Sequence, residues 1–196
     1  MRGRHLADAL GAPEIDVHAS AREVLAFWFA LTPEQQFAKS DALDAELRAR
    51  FGALRDAVLA SGAVGWREDA ETLFAAIILL DQFSRNLHRG SAEAFAADPR
   101  ARELALAMVA KGWDAQVPFE RRRFVYLPFE HAEDAATQAL SLEKFEALGD
   151  AEALDYARAH AEVIARFGRF PSRNATLGRE STAAELEYLS QPGSGW

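Results

Sequence analysis

Apolar residues recur at helical spacing through almost the whole chain. The pattern is clearest between residues 40 and 60, where charged residues cover one face and apolar residues the other: Leu43, Leu47, Phe51, Leu54 and Val58. Such spacing is typical of an amphipathic helix. No stretch alternates convincingly like a strand, and no Asn-Gly or Asp-Gly hairpin turn occurs. We therefore predict an all-α fold of seven or eight helices with no sheet.

Capping residues indicate where several helices begin. Ser20 followed by Glu23 predicts a capping box for the first helix, and Asp98 with Pro99 predicts the cap and first position of another. The segment 70–83 is apolar nearly all round, which indicates a central helix. Because the helices follow one another at short intervals, we expect stacked antiparallel hairpins.

The second half of the chain continues the helical pattern. Pro128 is expected to kink or end a helix that starts at Pro118, because proline lacks a helix donor and clashes with the preceding turn. Further helices are predicted over 133–148 and 150–167, each ending at a glycine, and Ser181 or Thr182 is expected to cap a last short helix.

Length and composition suit one domain. The 196 residues are 49% hydrophobic, enough for a substantial core. We predict a mobile leader over residues 1–19, a single all-α domain over 20–190 and a loose tail over 191–196. The leader has no apolar region typical of a signal peptide, and the longest apolar run, Leu73 to Leu80, is too short to span a membrane. We therefore predict a cytoplasmic protein.

Charge and cysteine content exclude several classes of function. The net charge of −8 argues against binding of nucleic acid or anionic membranes through bulk charge. The chain has no cysteine, which excludes disulfides, thiolate catalysis and cysteine-ligated metals. The metal-binding patterns H-E-x-x-H and E-x-x-H are absent as well. We predict no metal and no cofactor, and the oligomeric state stays open.

Two similar corners each combine a phenylalanine, a Ser-Arg-Asn run and a closing glycine: FSRNLHRG at 83–90 and FPSRNATLG at 170–178. Asp81 precedes the first corner at the C-terminal end of a buried helix, where a carboxylate is disfavoured and needs a partner. Arg85, four residues on, is a candidate partner. Asn86 suits a left-handed exit from the helix, and Arg89 stands beside the closing glycine.

A third polar segment lies between the corners and adds to the candidate site. We single out ten residues as a candidate binding site: Asp81, Arg85, Asn86, Arg89, His131, Glu133, Asp134, His160, Arg173 and Asn174. They could form an ion-pair and capping web that fixes the corners to the core. They could instead bind an anionic small molecule or a peptide terminus, because arginine recognises such groups through paired donors.

Two further functions stay open. The protein could be an enzyme in which His131 acts as a general base beside Glu133 or Asp134. It could also be a scaffold that binds protein helices, which would require a large exposed apolar patch.

Four strings resemble a known bacterial family: VLAFWF, IILLDQFSRNLHRG, RRRFVYLPFEHAED and RFGRFPSRNATLGREST. They are similar to the family called domain of unknown function 924, and the resemblance extends over residues 21–189. It implies a helical, TPR-like fold and no established reaction. The family usually has proline at the position of Ser84, often histidine at Ser172 and often methionine at Glu130. The serine at 172 makes any mechanism that needs a histidine there doubtful.

Overall fold

The computed structural model describes residues 15–194. Within this range the secondary structure is helical, without a strand, so the predicted all-α class is confirmed. The α-helices are α1 (Val17–Ala30), α2 (Pro33–Phe37), α3 (Asp41–Ala60), α4 (Ala70–Ile78), α5 (Ser84–Leu87), α6 (Glu93–Ala96), α7 (Asp98–Ala110), α8 (Phe119–Glu130), α9 (Ala135–Leu148), α10 (Ala151–Phe167) and α11 (Ala183–Leu189). Among these described helices, eight have seven or more residues, in agreement with the predicted seven or eight. The TPR-like stacking stays a prediction.

The first helix begins one turn earlier than predicted. The side chain of Asp16 caps α1 by accepting a hydrogen bond from a backbone N–H three residues on. Ser20 therefore lies inside the helix, and the predicted capping box of Ser20 with Glu23 is wrong. The predicted leader falls largely on residues outside the described range, although 17–19 belong to α1. The division into leader, domain and tail stays a prediction.

The central helix of the fold is continuous from α4 to α5 but changes its winding on the way. A π-helical turn, Leu79–Phe83, joins the two α-helical segments. All residues of this turn are buried, as are all residues of the apolar run before it. Helices α1, α7 and α8 pack against α4. The ring of Phe83 contacts Phe51 and Trp28, with centroids 5.0 and 5.6 Å apart, so the turn is anchored in the aromatic core.

Helices α8, α9 and α10 pack against one another in chain order. Pro128 is tolerated inside α8, which ends two residues later at Glu130. Asp134 caps α9, and a left-handed glycine closes both α9 and α10, as predicted. Within residues 15–194, no helix combines the length and the apolar character that crossing a membrane requires. The irregular segments between α5 and α7, α8 and α9, and α10 and α11 converge on one side of the helices and form the site described next.

Candidate functional site

The π-helical turn places two polar side chains next to each other in the core. Asp81 and Gln82 are both buried, and the amide Nε2 of Gln82 donates to Oδ2 of Asp81 over 2.5 Å. Turns of this type are rare and occur frequently at functional sites. The unusual winding therefore coincides with a carboxylate in the protein interior.

His131 is the main partner of Asp81. Its Nδ1 lies 2.8 Å from Oδ1 of Asp81, and Arg85 approaches the same oxygen at 3.3 Å. Burial opposes ionisation of Asp81, but the charge of Arg85 and hydrogen bonds from His131 and Gln82 outweigh it, so the pKa of Asp81 lies well below its usual range. Burial, followed by the charge of Arg85, lowers the pKa of His131. At neutral pH the imidazole is therefore neutral, Nδ1–H donates to Asp81, and Nε2 keeps its lone pair.

Asp98 connects the two Ser-Arg-Asn corners. Arg85 donates to both of its oxygens, over 3.0 and 3.2 Å, and Arg173 donates to Oδ2 over 3.3 Å. The sequence predicted Asp98 as the cap of a helix. That prediction is wrong: Asp98 is the first residue of α7, without a capping hydrogen bond, and its carboxylate instead joins two arginines. The two corners therefore meet in space.

Arg173 is held between two aromatic rings. Its guanidinium carbon lies 4.7 Å from the ring centroid of Phe95 and 4.6 Å from that of Phe170. Burial, followed by repulsion from Arg85, lowers the pKa of Arg173 to about 10, so the side chain stays charged at pH 7. Within residues 15–194, the side chain makes one hydrogen bond, through Nη1 to Asp98. Donors on Nη2 and Nε are thus left for another partner.

A cleft of about 280 Å³ opens beside these groups. It is lined by Ala92, Phe95, Ala96, Asp98, Pro99, Arg102, Pro128, His131, Ala132, Glu133, Arg173 and Leu177. The side chains of His131 and Arg173 are 14% and 11% exposed, so both are reachable from the cleft. Nε2 of His131 has no hydrogen-bonding partner among the described residues. The cleft therefore combines a charged donor, a neutral imidazole and an apolar wall.

The other acidic residues around the cleft are already paired. Glu133 accepts two hydrogen bonds from Arg179, over 2.6 and 2.9 Å, and one from the backbone of Phe170. Asp134 caps α9 and accepts from Arg102 over 2.5 Å. The enzyme hypothesis paired His131 with Glu133 or Asp134, but neither is bonded to it. The carboxylate beside the imidazole is Asp81.

A second histidine and carboxylate lie behind the first pair. Nδ1 of His160 lies 2.9 Å from the carbonyl oxygen of Tyr156 and 3.3 Å from Oε1 of Glu130. Oε2 of Glu130 is buried without a partner within residues 15–194. Burial, followed by the negative charge of Asp81, raises the pKa of Glu130 to about 8, and burial lowers that of His160 to about 3. Both groups are therefore mainly neutral at pH 7.

Three of the predicted site residues lie elsewhere. Asn86 and Arg89 both donate to Asp44 of α3, with Arg89 bonding both carboxylate oxygens. Asn86 is part of α5 and does not form the left-handed exit that the sequence predicted; Gly90, with φ of +80°, adopts that conformation. Asn174 is buried and bonds Arg179 and Ser181 within its own corner. These residues fix the corners and do not line the cleft.

The first corner is also tied to α3 through Ser84. Its hydroxyl lies 3.0 Å from Nε of Arg55, which donates to it, and both side chains are buried. Ser84 is helical in α5. Helix α5 and the hydrogen bond with Arg55 therefore order the backbone at the position where the resembling family usually has a proline.

The sequence did not reveal several residues that belong to the candidate site. Asp98 was assigned to a cap because it precedes a proline at a helix start, which is the usual meaning of that pair. Phe95 and Arg102 carried no pattern that distinguishes them from other residues of α6 and α7. Gln82 was predicted to lie within an ordinary helix, where it would point away from its neighbour Asp81. In the structure the two side chains lie in a π-helical turn and are bonded to each other, and no sequence pattern indicated that turn.

Comparison with known proteins places this site within a family. The model of the family described as "Bacterial protein of unknown function (DUF924)" matches residues 24–193. The chain belongs to the DUF924 family. This confirms the resemblance drawn from the four strings. The matched range includes the residues of the candidate site, from Asp81 to Arg173.

A solved structure supports the fold of this DUF924 chain. The protein of unknown function ATU0120 from Agrobacterium tumefaciens is 39% identical, with a TM-score of 0.85 over 89% of this chain and 99% of that one. Among curated proteins, none matches the chain. The DUF924 comparison therefore gives the fold and the family, and function has to be argued from the cleft.

Proposed function

We propose that the protein is a cytoplasmic binding protein for a small molecule or peptide terminus that carries a carboxylate, with the cleft beside His131 as its binding site. The observation that carries this proposal is Arg173. Its guanidinium is fixed between Phe95 and Phe170, remains charged at pH 7, and keeps unused donors at the cleft. A rigid arginine with free donors is well suited to recognise a carboxylate.

The charge balance of the cleft favours a carboxylate over a phosphate. Both carboxylates that line the cleft already face an arginine: Asp98 faces Arg85 and Arg173, and Glu133 faces Arg179. Asp134, outside the lining, faces Arg102. Positive charge is therefore not in large excess, and a ligand would be held by directed hydrogen bonds. Each carboxylate group brings one negative charge, whereas a phosphate monoester concentrates nearly two charges on one group at neutral pH.

The apolar wall of the cleft limits which chemical groups the ligand can carry next to its carboxylate. Phe95, Pro128 and Leu177 line the same cleft, together with three alanines. Pockets of a few hundred Å³ with an apolar wall and a few polar groups are typical sites for small ligands. The ligand should therefore carry a short apolar or planar portion next to its carboxylate.

Titration calorimetry with succinate and with an acetylated tripeptide tests the proposal, and the tripeptide amide serves as the uncharged comparison. We expect succinate or the peptide acid to bind, and the amide to bind much more weakly. Removal of a hydrogen bond to a charged group weakens binding by about 1.5–3 kcal/mol, or roughly 10- to 100-fold. Arg173→Gln should show this loss. Arg166→Gln, an exposed arginine of α10 outside the cleft, is the matched control.

Two results would contradict the proposal. The first is the absence of a binding signal for both succinate and the peptide acid, whether or not inorganic phosphate binds. The second is unchanged affinity in a folded Arg173→Gln protein. Arg102→Gln provides a further variant, because its side chain is 37% exposed and its replacement should disturb the fold less.

The scaffold alternative has less support. The large apolar side chains that are exposed within residues 15–194 lie on seven different segments: Ile15, Phe37, Val64, Leu106, Phe119, Tyr156 and Leu186. A helix-binding groove would concentrate such residues on one face. We therefore retain the cleft as the candidate site.

A further inference from the structure

We infer that His131 is a general base that activates water in the cleft, and that the protein hydrolyses small carboxylic esters carrying a second, anionic group. The inference rests on the proposed function, because Arg173 would hold the anionic group. It adds a reaction and a role for the buried Asp81–His131 pair. Neither is needed for binding alone.

The first support is the geometry of the imidazole. Nδ1 of His131 is fixed at 2.8 Å from Oδ1 of Asp81, which is buried and also held by Gln82. A neutral imidazole whose Nδ1–H is bonded to a carboxylate presents the unprotonated Nε2 on the opposite side of its ring. The ring lines the cleft, and its Nε2 has no partner among residues 15–194. The lone pair of Nε2, which would take the proton from water, is therefore available.

The second support is the use of the π-helical turn. Asp81 and Gln82 are neighbours in this turn, and the amide of Gln82 donates to the carboxylate of Asp81. The carboxylate is thereby held on one oxygen by Gln82 and on the other by His131. In hydrolytic sites with a histidine base, a carboxylate bonded to Nδ1 fixes the tautomer and the orientation of the imidazole. Asp81 is accordingly a positioning residue.

The third support is the composition of the cleft wall. Among the described residues that line it, none is serine, threonine, cysteine or lysine. A covalent intermediate on such a side chain is therefore not available there. The two carboxylates that line the cleft, Asp98 and Glu133, are paired with arginines, so water is the nucleophile we assign. Arg102 lines the same cleft, and its guanidinium can donate to an oxyanion in addition to its bond with Asp134.

In the reaction we propose, water attacks the ester and His131 acts as the base. Nε2 of His131 takes a proton from water while the water oxygen forms a bond to the ester carbonyl carbon. The tetrahedral intermediate then collapses, the bond from carbon to the alcohol oxygen breaks, and the imidazolium returns its proton to the leaving alcohol. The products are an alcohol and a carboxylic acid, which loses its proton to solvent. Asp81 stays ionised throughout.

The test uses 4-acetoxybenzoate, an anionic ester whose carboxylate cannot reach its own ester carbonyl, and phenyl acetate, a neutral one. Release of the phenol is followed by ultraviolet absorbance. We expect a higher kcat/KM for the anionic ester, and a rise in KM in Arg173→Gln. General bases contribute about 10²–10⁴-fold to rates, so His131→Gln should lower kcat at least about 100-fold with little change in KM.

Asp81→Asn separates a positioning role from a merely structural one. If Asp81 orients the base, the variant should lose about tenfold or more in kcat while KM stays within about twofold, since the tautomer is then no longer fixed. A purely structural role would change both constants together, or would leave kcat unchanged once it is expressed per folded molecule. His18→Gln is the matched control, because His18 also faces an aspartate, Asp69 at 3.7 Å, but on the exposed surface. It should hydrolyse the ester at the wild-type rate.

A second measurement uses the wild-type protein, so it does not depend on whether a variant folds. Diethyl pyrocarbonate acylates unprotonated imidazole, and peptide mass spectrometry shows which histidine is modified. We expect modification of His131 to abolish hydrolysis, and succinate to protect both the residue and the activity. Hydrolysis that persists after modification of His131 would overturn the inference.

The outcomes distinguish the inference from the proposed function. If succinate binds through Arg173 but the wild type hydrolyses the anionic ester no faster than His131→Gln does, the inference is wrong and the binding function stands. If neither succinate nor the peptide acid binds and both esters react equally, the anionic substrate class is wrong and the proposed function falls with it. Loss of hydrolysis confined to the His131 and Asp81 variants, with succinate binding retained, supports both.

Discussion

The side chains of His131 and Asp81 meet at 2.8 Å although 50 residues separate them in the chain. One stands just after the last turn of α8, and the other lies in the π-helical turn that follows α4. Their hydrogen bond therefore joins the end of one core helix to the irregular turn of another. Any change at either residue should affect the stability of the interior as well as the cleft.

Asp81→Asn should lower the free energy of unfolding by about 3 kcal/mol at pH 7, because it removes a buried charge from its cationic and hydrogen-bonding partners. Urea unfolding measures the change. Asp69→Asn is the control, since Asp69 caps α4 at a more exposed position and asparagine is also a good cap. A loss below about 1 kcal/mol for Asp81→Asn would contradict the burial argument.

The effect of Asp81 should depend on pH in a defined direction. Because the folded protein lowers the pKa of Asp81, its ionisation stabilises the fold above the unfolded pKa of about 4 and this contribution is lost as the pH falls further. The difference in unfolding free energy between wild type and Asp81→Asn should therefore shrink below pH 4. Unfolding curves at pH 7, 5 and 3 give the comparison.

Glu130→Gln should have the opposite pH dependence. The folded pKa of Glu130, about 8, lies above its unfolded value, so the wild type loses stability as the pH rises through this window. Glutamine has a similar shape and does not ionise, and the variant should lack that loss. Relative to wild type, it should gain stability between pH 5 and pH 9, as measured by urea unfolding. An equal pH dependence in both proteins would show that Glu130 is not held neutral.

Phe95→Ala should weaken succinate binding without removing a charge. Phe95 covers one face of the Arg173 guanidinium, and contacts of this kind contribute about 0.5–2 kcal/mol. Calorimetry should show a loss of affinity of about tenfold, since 1.4 kcal/mol corresponds to that factor. Phe119→Ala removes an exposed phenylalanine at the start of α8, outside the cleft, and should leave the affinity unchanged. Equal losses in both variants would contradict a specific role of Phe95.

Asn86→Ala should destabilise the fold by about 1–3 kcal/mol but leave the cleft unchanged. Its amide donates to Asp44 over 2.8 Å in the interior, and the loss of that donor leaves a buried carboxylate oxygen with one partner fewer. Thermal unfolding measures the loss of stability, and calorimetry with succinate measures binding at a temperature where the variant is folded. Weaker binding by the folded variant would mean that Asn86 belongs to the site after all.

The helices of this protein were predictable where local chemistry decides their ends. Thr182 caps α11, as expected, because a capping side chain bonds a backbone group only a few residues away. Asp98 shows where such reasoning fails. Its partners are 13 and 75 residues away, and no local pattern records them. The convergence of the two corners could be posed as a question from the sequence, but only the fold answers it.

The sequence predicted which residue types form the candidate site, but it predicted less well which side chains pair with each other. Asp81 was expected to have a cationic partner because a carboxylate at a buried helix end needs one, and Arg85 provides it. The histidine that bonds it was expected to face Glu133 or Asp134, which are closer in sequence. Those two acids are taken by Arg179 and by the cap of α9. Competition among several acids and arginines decides such pairs, and it depends on packing that the chain order does not specify.

The π-helical turn at Leu79–Phe83 amounts to one extra residue wound into a helix. Because the wider turn absorbs the extra residue, deleting one residue there could restore a regular α-helix with α4 and α5 still in phase. The shorter segment would have four residues where Leu79–Phe83 now places five buried side chains, so the aromatic contacts of Phe83 and the hydrogen bond of Asp81 could not both be kept. The length of this helix is thus fixed to the residue.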